Sequence, residues 1–243
     1  PTDEQRRFAY TDTDEFLSLV DLIRTKTKHD ASIETGVGIH SLRAVNPREL
    51  SIVAADARKD DPNIRFHIHV AEQPREVEEI QQGLGARPVE WMLKNMDLDQ
   101  HWTLIHSTHI NDYECHRLAA SDAVVGLCPM TEATLGDGIF PLVDFHHNGG
   151  RWGIGTDSHY TTDNAQEPRT LECVQRLGFQ KRNALAAPDS DLTSHSGRRL
   201  FDLALAGGHR SVGFETGQLT PGKRADLIVL DHDDPCLIGH GPD

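Results

Sequence analysis

Residues 66–73 read FHIHVAEQ, and this stretch decides the fold. Phe66, Ile68 and Val70 alternate with His67 and His69, the period-two pattern of a strand with one apolar face and one imidazole-bearing face. Pro74 then opens a helical run that includes EVEEIQQGLG (76–85) and ends on glycine. The same order recurs on either side. TGVGIH (35–40) reads as a strand and NPRELSIVAADARKD (46–60) as a helix with an Asn cap and Pro in its first turn. HWTLIH (101–106) is a strand and NDYECHRLAASD (111–122) a helix, again with an Asn cap. AVVGLC (123–128) and RWGIGT (151–156) are strands joined by a Gly-rich, helix-starting connection over 134–150. Residues 13–28 carry Phe16, Leu17, Val20, Leu22 and Ile23 broadly on one helical side, and 166–180 and 193–206 are also helical. Five strands, each followed by a helix or a long loop, predict an α/β fold with parallel pairing.

The reactive side chains sit where those strands end: GIH at 40, HIH at 69, LIH at 106, GLC at 128 and GIGTD at 157. In a parallel barrel all C-terminal strand ends open on one face, so side chains distant in sequence converge there. Three imidazoles and a carboxylate have the composition of a divalent transition-metal site. A single His at a strand end is more often a hydrogen-bonded core or surface residue; the joint pattern carries the metal reading. Of the HxH pair, His69 is the outer candidate, with His67 one layer deeper. Glu72 follows His69 by three residues, just past the strand end, where a carboxylate can carry protons without ligating a metal. The competing reading makes it an ordinary helix N-terminal charge.

Composition narrows the function. The chain has 243 residues, 24 Lys+Arg against 38 Asp+Glu, a net charge of −14, and 15 His. That acidity argues against non-specific nucleic-acid binding and against acidic lipid surfaces. No run approaches the roughly 18 apolar residues of a membrane span, and PTDEQRRFAYTDTDEF (1–16) lacks the regions of a signal peptide. Four widely spaced cysteines (Cys115, Cys128, Cys173, Cys236) form no CxxC pair and suit a reduced cytoplasmic protein. The tail TGQLTPGKRADLIVLD (216–231) reads as two short strands around a Pro-Gly turn.

HVAE (69–72), His106 closing LIH, Asp157 in GTDSH (155–159) and the ADLIVLD tail together resemble the amidohydrolase superfamily, in particular its metal-dependent deaminase branch. GIHSLRAV (38–45), GARPVEW (85–91), LIHSTH (104–109), TEATLGDGIFPL (131–142) and WGIGTDSH (152–159) extend the likeness in order, towards members that act on N-formimidoyl-L-glutamate. The resemblance implies the C-terminal portion of a (β/α)8 TIM-type barrel, about strands 4–8, over residues 1–212. Residues 213–243 would begin a small β-sandwich appendage. It also implies one zinc, or another divalent transition metal, per subunit, ligated by His69 and Asp157. His106 would hydrogen-bond the attacking water or the tetrahedral centre, Asp157 would help deprotonate the water, and Glu72 would carry a proton to the departing nitrogen. His40 and Arg43 would face the substrate, the guanidinium suiting a glutamate carboxylate; without the resemblance Arg43 reads as a surface ion pair. His159 would orient the surroundings of the metal or face solvent.

The implied reaction is hydrolysis of N-formimidoyl-L-glutamate to N-formyl-L-glutamate and ammonia, with a small molecule as the only substrate-side partner and a homodimer as the intact assembly. Two further metal His are expected on a first barrel strand ahead of Pro1. On that expectation the chain is a piece of a larger protein, and these 243 residues alone turn over little or no substrate. Two other readings compete. A related deaminase could act on a nucleobase or another amidine, for which Arg43 would have no use. A non-catalytic scaffold would have no reason to keep His69, Glu72, His106 and Asp157 together.

Overall fold

The computed structural model describes residues 3–4, 6–158, 161–186 and 195–239. Five strands, β1 (Val37–Ser41), β2 (Phe66–Val70), β3 (Trp102–His106), β4 (Val124–Leu127) and β5 (Arg151–Ile154), form one sheet in the order β1-β2-β3-β4-β5, every pair parallel. Chain order and spatial order coincide, as in a barrel; a doubly wound sheet would reverse at a switch point. Helices α1 (Thr13–Thr27), α2 (Pro47–Asp60), α3 (Pro74–Leu84), α4 (Pro88–Asn95), α5 (Asp112–Ala119), α6 (Pro129–Leu135), α7 (Leu142–His147), α8 (Gln166–Phe179) and α9 (Ser196–Val212), with a short 3-10 turn at Arg6–Phe8, complete the described elements. The expected helix over 193–206 begins at Ser196 and runs longer; residues 193 and 194 lie outside the described ones.

The start signals work as read. Asn46 accepts the Arg48 N–H and Asn111 the Glu114 N–H, each capping its helix, while Gly85 ends α3 in the left-handed conformation. Two helices went unread in the sequence: α4, which opens on Pro88 inside GARPVEW, and α6, which starts at Pro129. The helix-starting connection expected over 134–150 contains α7.

The strand alternation separates two faces. Phe66, Ile68, Val70, Trp102, Leu104, Val125, Leu127 and Trp152 are buried with Leu50 and Val53 of α2, Val77 and Ile80 of α3 and Leu118 of α5 in one core. Phe66 and Trp102 stack at 4.6 Å. Each such side chain contributes about 1.5–3 kcal/mol by leaving water, so the helix-covered face holds the sheet together. The opposite face carries His67 and His69. In register beside His69 stand Ile105, Gly126 and Gly153. α9 lies against this second face: the Gly208 N and Cα would sit 2.9 and 3.0 Å from a Cβ on Gly153, and His67 Nε2 lies 3.0 Å from the Ser211 carbonyl.

The tail forms its turn but not its strands. Lys223 N–H bonds to the Thr220 carbonyl around Gly222 (φ 89), and Arg224 N–H reaches the Glu215 carbonyl. Beyond that, the described residues to 239 contain no strand. A strand needs a ladder partner, and Leu227, Ile228, Val229 and Leu230 stand 66, 76, 93 and 70 % exposed without one.

Candidate active site

Four of the six side chains singled out in the sequence meet at the C-terminal edge of the sheet. His106 is their centre. By alternation it should point with Leu104 into the helix-covered core, yet its φ is +68, as Ser107 is +51. This left-handed backbone, costly for a residue with a Cβ, lifts the ring over the strand ends, where it is 1 % exposed. Its Nε2 then lies 3.7 Å from Glu72 Oε1 and 3.9 Å from Asp157 Oδ2. Asp157 itself has φ +51 and Ala71, before Glu72, φ +52. Left-handed non-glycine residues thus bring each of the three groups to the site.

His69 projects from β2 with its ring 5.7 Å from that of His106 and 5.6 Å from that of His40. Its Nδ1 lies 2.8 Å from the His40 carbonyl, freed by a register shift in β1 between Ile39 and Ser41. A carbonyl only accepts, so Nδ1 carries the proton and the Nε2 lone pair is left open. His40 is exposed, its Nδ1 2.9 Å from Ser41 Oγ. Partial desolvation of its ring, helped by the charges of His69 and Arg43, lowers its pKa. Arg43 is exposed and in no ion pair with a described residue. His67, bound to Ser211, points into α9 instead of the site. His159 lies outside the described residues.

Burial raises the Glu72 pKa, with Asp137 and Glu76 adding to it against the opposing pull of His106 and His69. Burial alone would lower that of His106. The hydrogen bond and charge of Glu132, with Glu72 and Asp157, outweigh it and leave the ring more basic than an ordinary imidazole.

The sequence reading missed a set of buried carboxylates that build this edge. Glu76, in the first turn of α3, accepts the Ala71 N–H on Oε1 (3.0 Å) and the Glu72 N–H on Oε2 (2.9 Å). Glu132 of α6 takes the Cys128 N–H (2.8 Å) and lies 3.1 Å from His106 Nδ1. Glu114 of α5 takes the N–H groups of Glu90 and Asn111 and pairs with Arg87 at 2.9 Å. Each sits in the first turn of its helix, where the N-terminal donors favour an anion. The signal was present as EVEE, YE and TEA after strand-end loops. Part of the acidic excess is therefore internal framework.

Two donor sets could hold a metal. His106, Cys128 and Glu132 offer three atoms within 4.8 Å of one another, all buried. Against that set, Glu132 Oε1 is already shared by two donors, and burial with Glu132 and Asp157 nearby pushes the Cys128 thiol far above its ordinary pKa, leaving it a poor thiolate. His69 and Asp157 offer one free imidazole lone pair and one partly open carboxylate, the His69 ring 5.7 Å from that of His106 and Asp157 Oδ2 3.9 Å from His106 Nε2. They are two of the four ligands that a tetrahedral site takes.

Fold and site together define part of a (β/α)8 barrel with a histidine-carboxylate site at the C-terminal ends of its strands. Residues 10–240 match the model of the amidohydrolase family, and the chain belongs to that family. It is 44 % identical over 237 residues to a formimidoylglutamate deiminase from Pseudomonas aeruginosa, spanning 98 % of this chain and 51 % of that one. A 5-methylthioadenosine/S-adenosylhomocysteine deaminase from Natronomonas pharaonis is 32 % identical over 211 residues, 86 % of this chain and 46 % of the other. Among solved structures, an amidohydrolase from Brucella melitensis superposes with a TM-score of 0.81 at 42 % identity, covering 88 % of this chain and 46 % of that one. A zinc-bound adenosine deaminase from Xanthomonas campestris gives 0.81 at 23 % identity, covering 93 % and 50 %, a likeness of fold. The chain spans about half the length of the curated relatives it matches. Among the described residues no helix is long and apolar enough to cross a membrane.

Proposed function

We propose that this chain is the C-terminal part of a cytoplasmic, homodimeric, zinc-dependent enzyme that hydrolyses N-formimidoyl-L-glutamate to N-formyl-L-glutamate and ammonia. The observation that carries the reading is the approach of Glu72 Oε1 and Asp157 Oδ2 to one ring nitrogen of His106, beside the free lone pair of His69. The 44 % identity to a formimidoylglutamate deiminase supports the substrate. Zinc bound in a structural relative supports the metal.

His69 Nε2 and an Asp157 carboxylate oxygen would hold the metal, with two His from outside the chain. When bound, it supplies the Lewis acidity that makes hydroxide available near neutral pH. Asp157 Oδ2 takes up a proton from the attacking water. Glu72 Oε1 passes one to the departing nitrogen, and its raised pKa suits a group that must both accept and release a proton near neutrality. His106 Nε2 faces the same space and hydrogen-bonds the tetrahedral centre. Arg43 binds a glutamate carboxylate as a bidentate fork, with His40 beside it. Residues 1–212 form the barrel part and 213–243 begin the β-appendage, whose exposed 227–230 run awaits strand partners.

One other substrate class has an observation in its favour, since several relatives at 28–32 % identity are deaminases of adenosine derivatives. Arg43 separates the two. In the full-length protein, Arg43→Ala should raise KM for formimidoylglutamate at least tenfold. Unchanged KM, or turnover of adenosine derivatives with none of formimidoylglutamate, would overturn the substrate assignment. The 243-residue chain by itself should release no ammonia above background, and measurable release would overturn that part.

A further inference from the structure

We infer that Glu132 is the positioning residue for His106, fixing one proton on Nδ1 so that Nε2 alone faces the reacting groups. Glu132 leads from the first turn of α6 back under the site and is buried at 6 % exposure. Its Oε1 takes the backbone N–H of Cys128 at 2.8 Å, which locks the carboxylate to the end of β4. The same oxygen lies 3.1 Å from His106 Nδ1. A carboxylate accepts, so the ring nitrogen donates. The other nitrogen, Nε2, is turned toward Glu72 Oε1 and Asp157 Oδ2, 3.7 and 3.9 Å away.

The ring needs this hold. Its backbone is left-handed, and the β3 ladder alone would have placed the side chain with Leu104 in the core. A neutral histidine side chain in water favours the proton on Nε2, the reverse of the arrangement required here. The neighbouring Ser107 Oγ and Thr108 Oγ1 are buried without a hydrogen-bond partner among the described residues and lend the ring no second anchor. Glu132 therefore does for His106 what the His40 carbonyl does for His69: it sets the tautomer and the ring plane through the nitrogen that faces away from the chemistry.

The catalytic consequence rests on the deaminase reading above, whereas the tautomer does not. The 243-residue chain, labelled with 15N, is examined for the His106 ring at a pH where its shifts report a neutral imidazole. The expected wild-type spectrum has a protonated Nδ1 and a bare Nε2; a proton on Nε2 overturns the assignment. Glu132→Gln keeps an acceptor oxygen and should keep the Nδ1 proton. Glu132→Ala removes it and should move the proton to Nε2, and retention on Nδ1 in a folded Glu132→Ala chain also overturns the assignment. Because the wild-type spectrum decides by itself, a variant that fails to fold leaves the inference exposed. In the full-length enzyme, Glu132→Ala should lower kcat about 10–100-fold, the usual cost of losing such an orienting partner, with KM within about twofold. A loss confined to KM would contradict a positioning role. Absence of formimidoylglutamate turnover in the wild-type enzyme would sink the functional reading and leave the tautomer result standing.

Discussion

Replacing Glu76 by Gln should be among the more damaging single-atom changes in this chain. Glu76 is 1 % exposed, and its two oxygens each accept one backbone N–H, from Ala71 and Glu72, across a turn in which Ala71 is left-handed. Glutamine supplies one acceptor and one donor, so one N–H keeps its partner and the other faces an NH2 group. A hydrogen bond to a charged group contributes about 1.5–3 kcal/mol, and a buried donor left unsatisfied costs about 1–3 kcal/mol. These overlap, since the lost bond and the orphaned donor are the same N–H, so the expected destabilisation is about 1.5–3 kcal/mol. Urea unfolding of the purified chain followed by circular dichroism measures it, with Glu79→Gln as the control. Glu79 is 43 % exposed and pairs only with Arg75, itself 83 % exposed, and should cost under about 1 kcal/mol. If the two variants unfold at the same urea concentration, the framework role of Glu76 is wrong.

Other outcomes follow from the same geometry. Gly153→Ala would bring a Cβ to 2.9 Å from Gly208 N and should cost about 1–3 kcal/mol by prising α9 off the sheet; Gly38→Ala, with nothing within 4 Å, should not, and equal melting temperatures would contradict the α9 contact. Glu114→Ala leaves Arg87 unpaired and two N–H groups without an acceptor, and should cost about 3–5 kcal/mol in the same urea assay. Burial alone would raise the Asp99 pKa, but hydrogen bonds from the His101 backbone and ring, with the Arg58 guanidinium, hold it below the usual aspartate range. Its contribution is therefore present above the ordinary aspartate pKa and lost as pH falls through the lower folded value. Asp99→Asn should flatten the acid limb of stability against pH, and an unchanged limb would refute this.

The strands were legible because period-two alternation and one apolar face are written directly in FHIHV, HWTLIH and AVVGLC. His69, Glu72, His106 and Asp157 were legible as strand-end residues, and the fold brings Glu72 and Asp157 to within 4 Å of one nitrogen of His106. The manner of that approach was not legible. Alternation predicts a core-facing His106, and only a left-handed φ, invisible in residue type, turns it outward. Glu76, Glu114 and Glu132 were hidden for another reason. A charged residue early in a helix reads as solvent-facing, and its burial depends on which loop folds back over it. The tail failed as a pair of strands because pattern alone cannot supply a ladder partner: LIVL at 227–230 has β-propensity and no strand beside it.

The most direct measurement uses the full-length protein loaded with zinc and N-formimidoyl-L-glutamate carrying 13C in the formimidoyl carbon. NMR should show that carbon passing into N-formyl-L-glutamate, with one equivalent of ammonia, and Glu72→Gln should abolish most of the rate. Transfer of the label into formamide with release of glutamate would contradict proton delivery to the terminal nitrogen. No conversion at all by the metal-loaded wild type would contradict the proposed function itself.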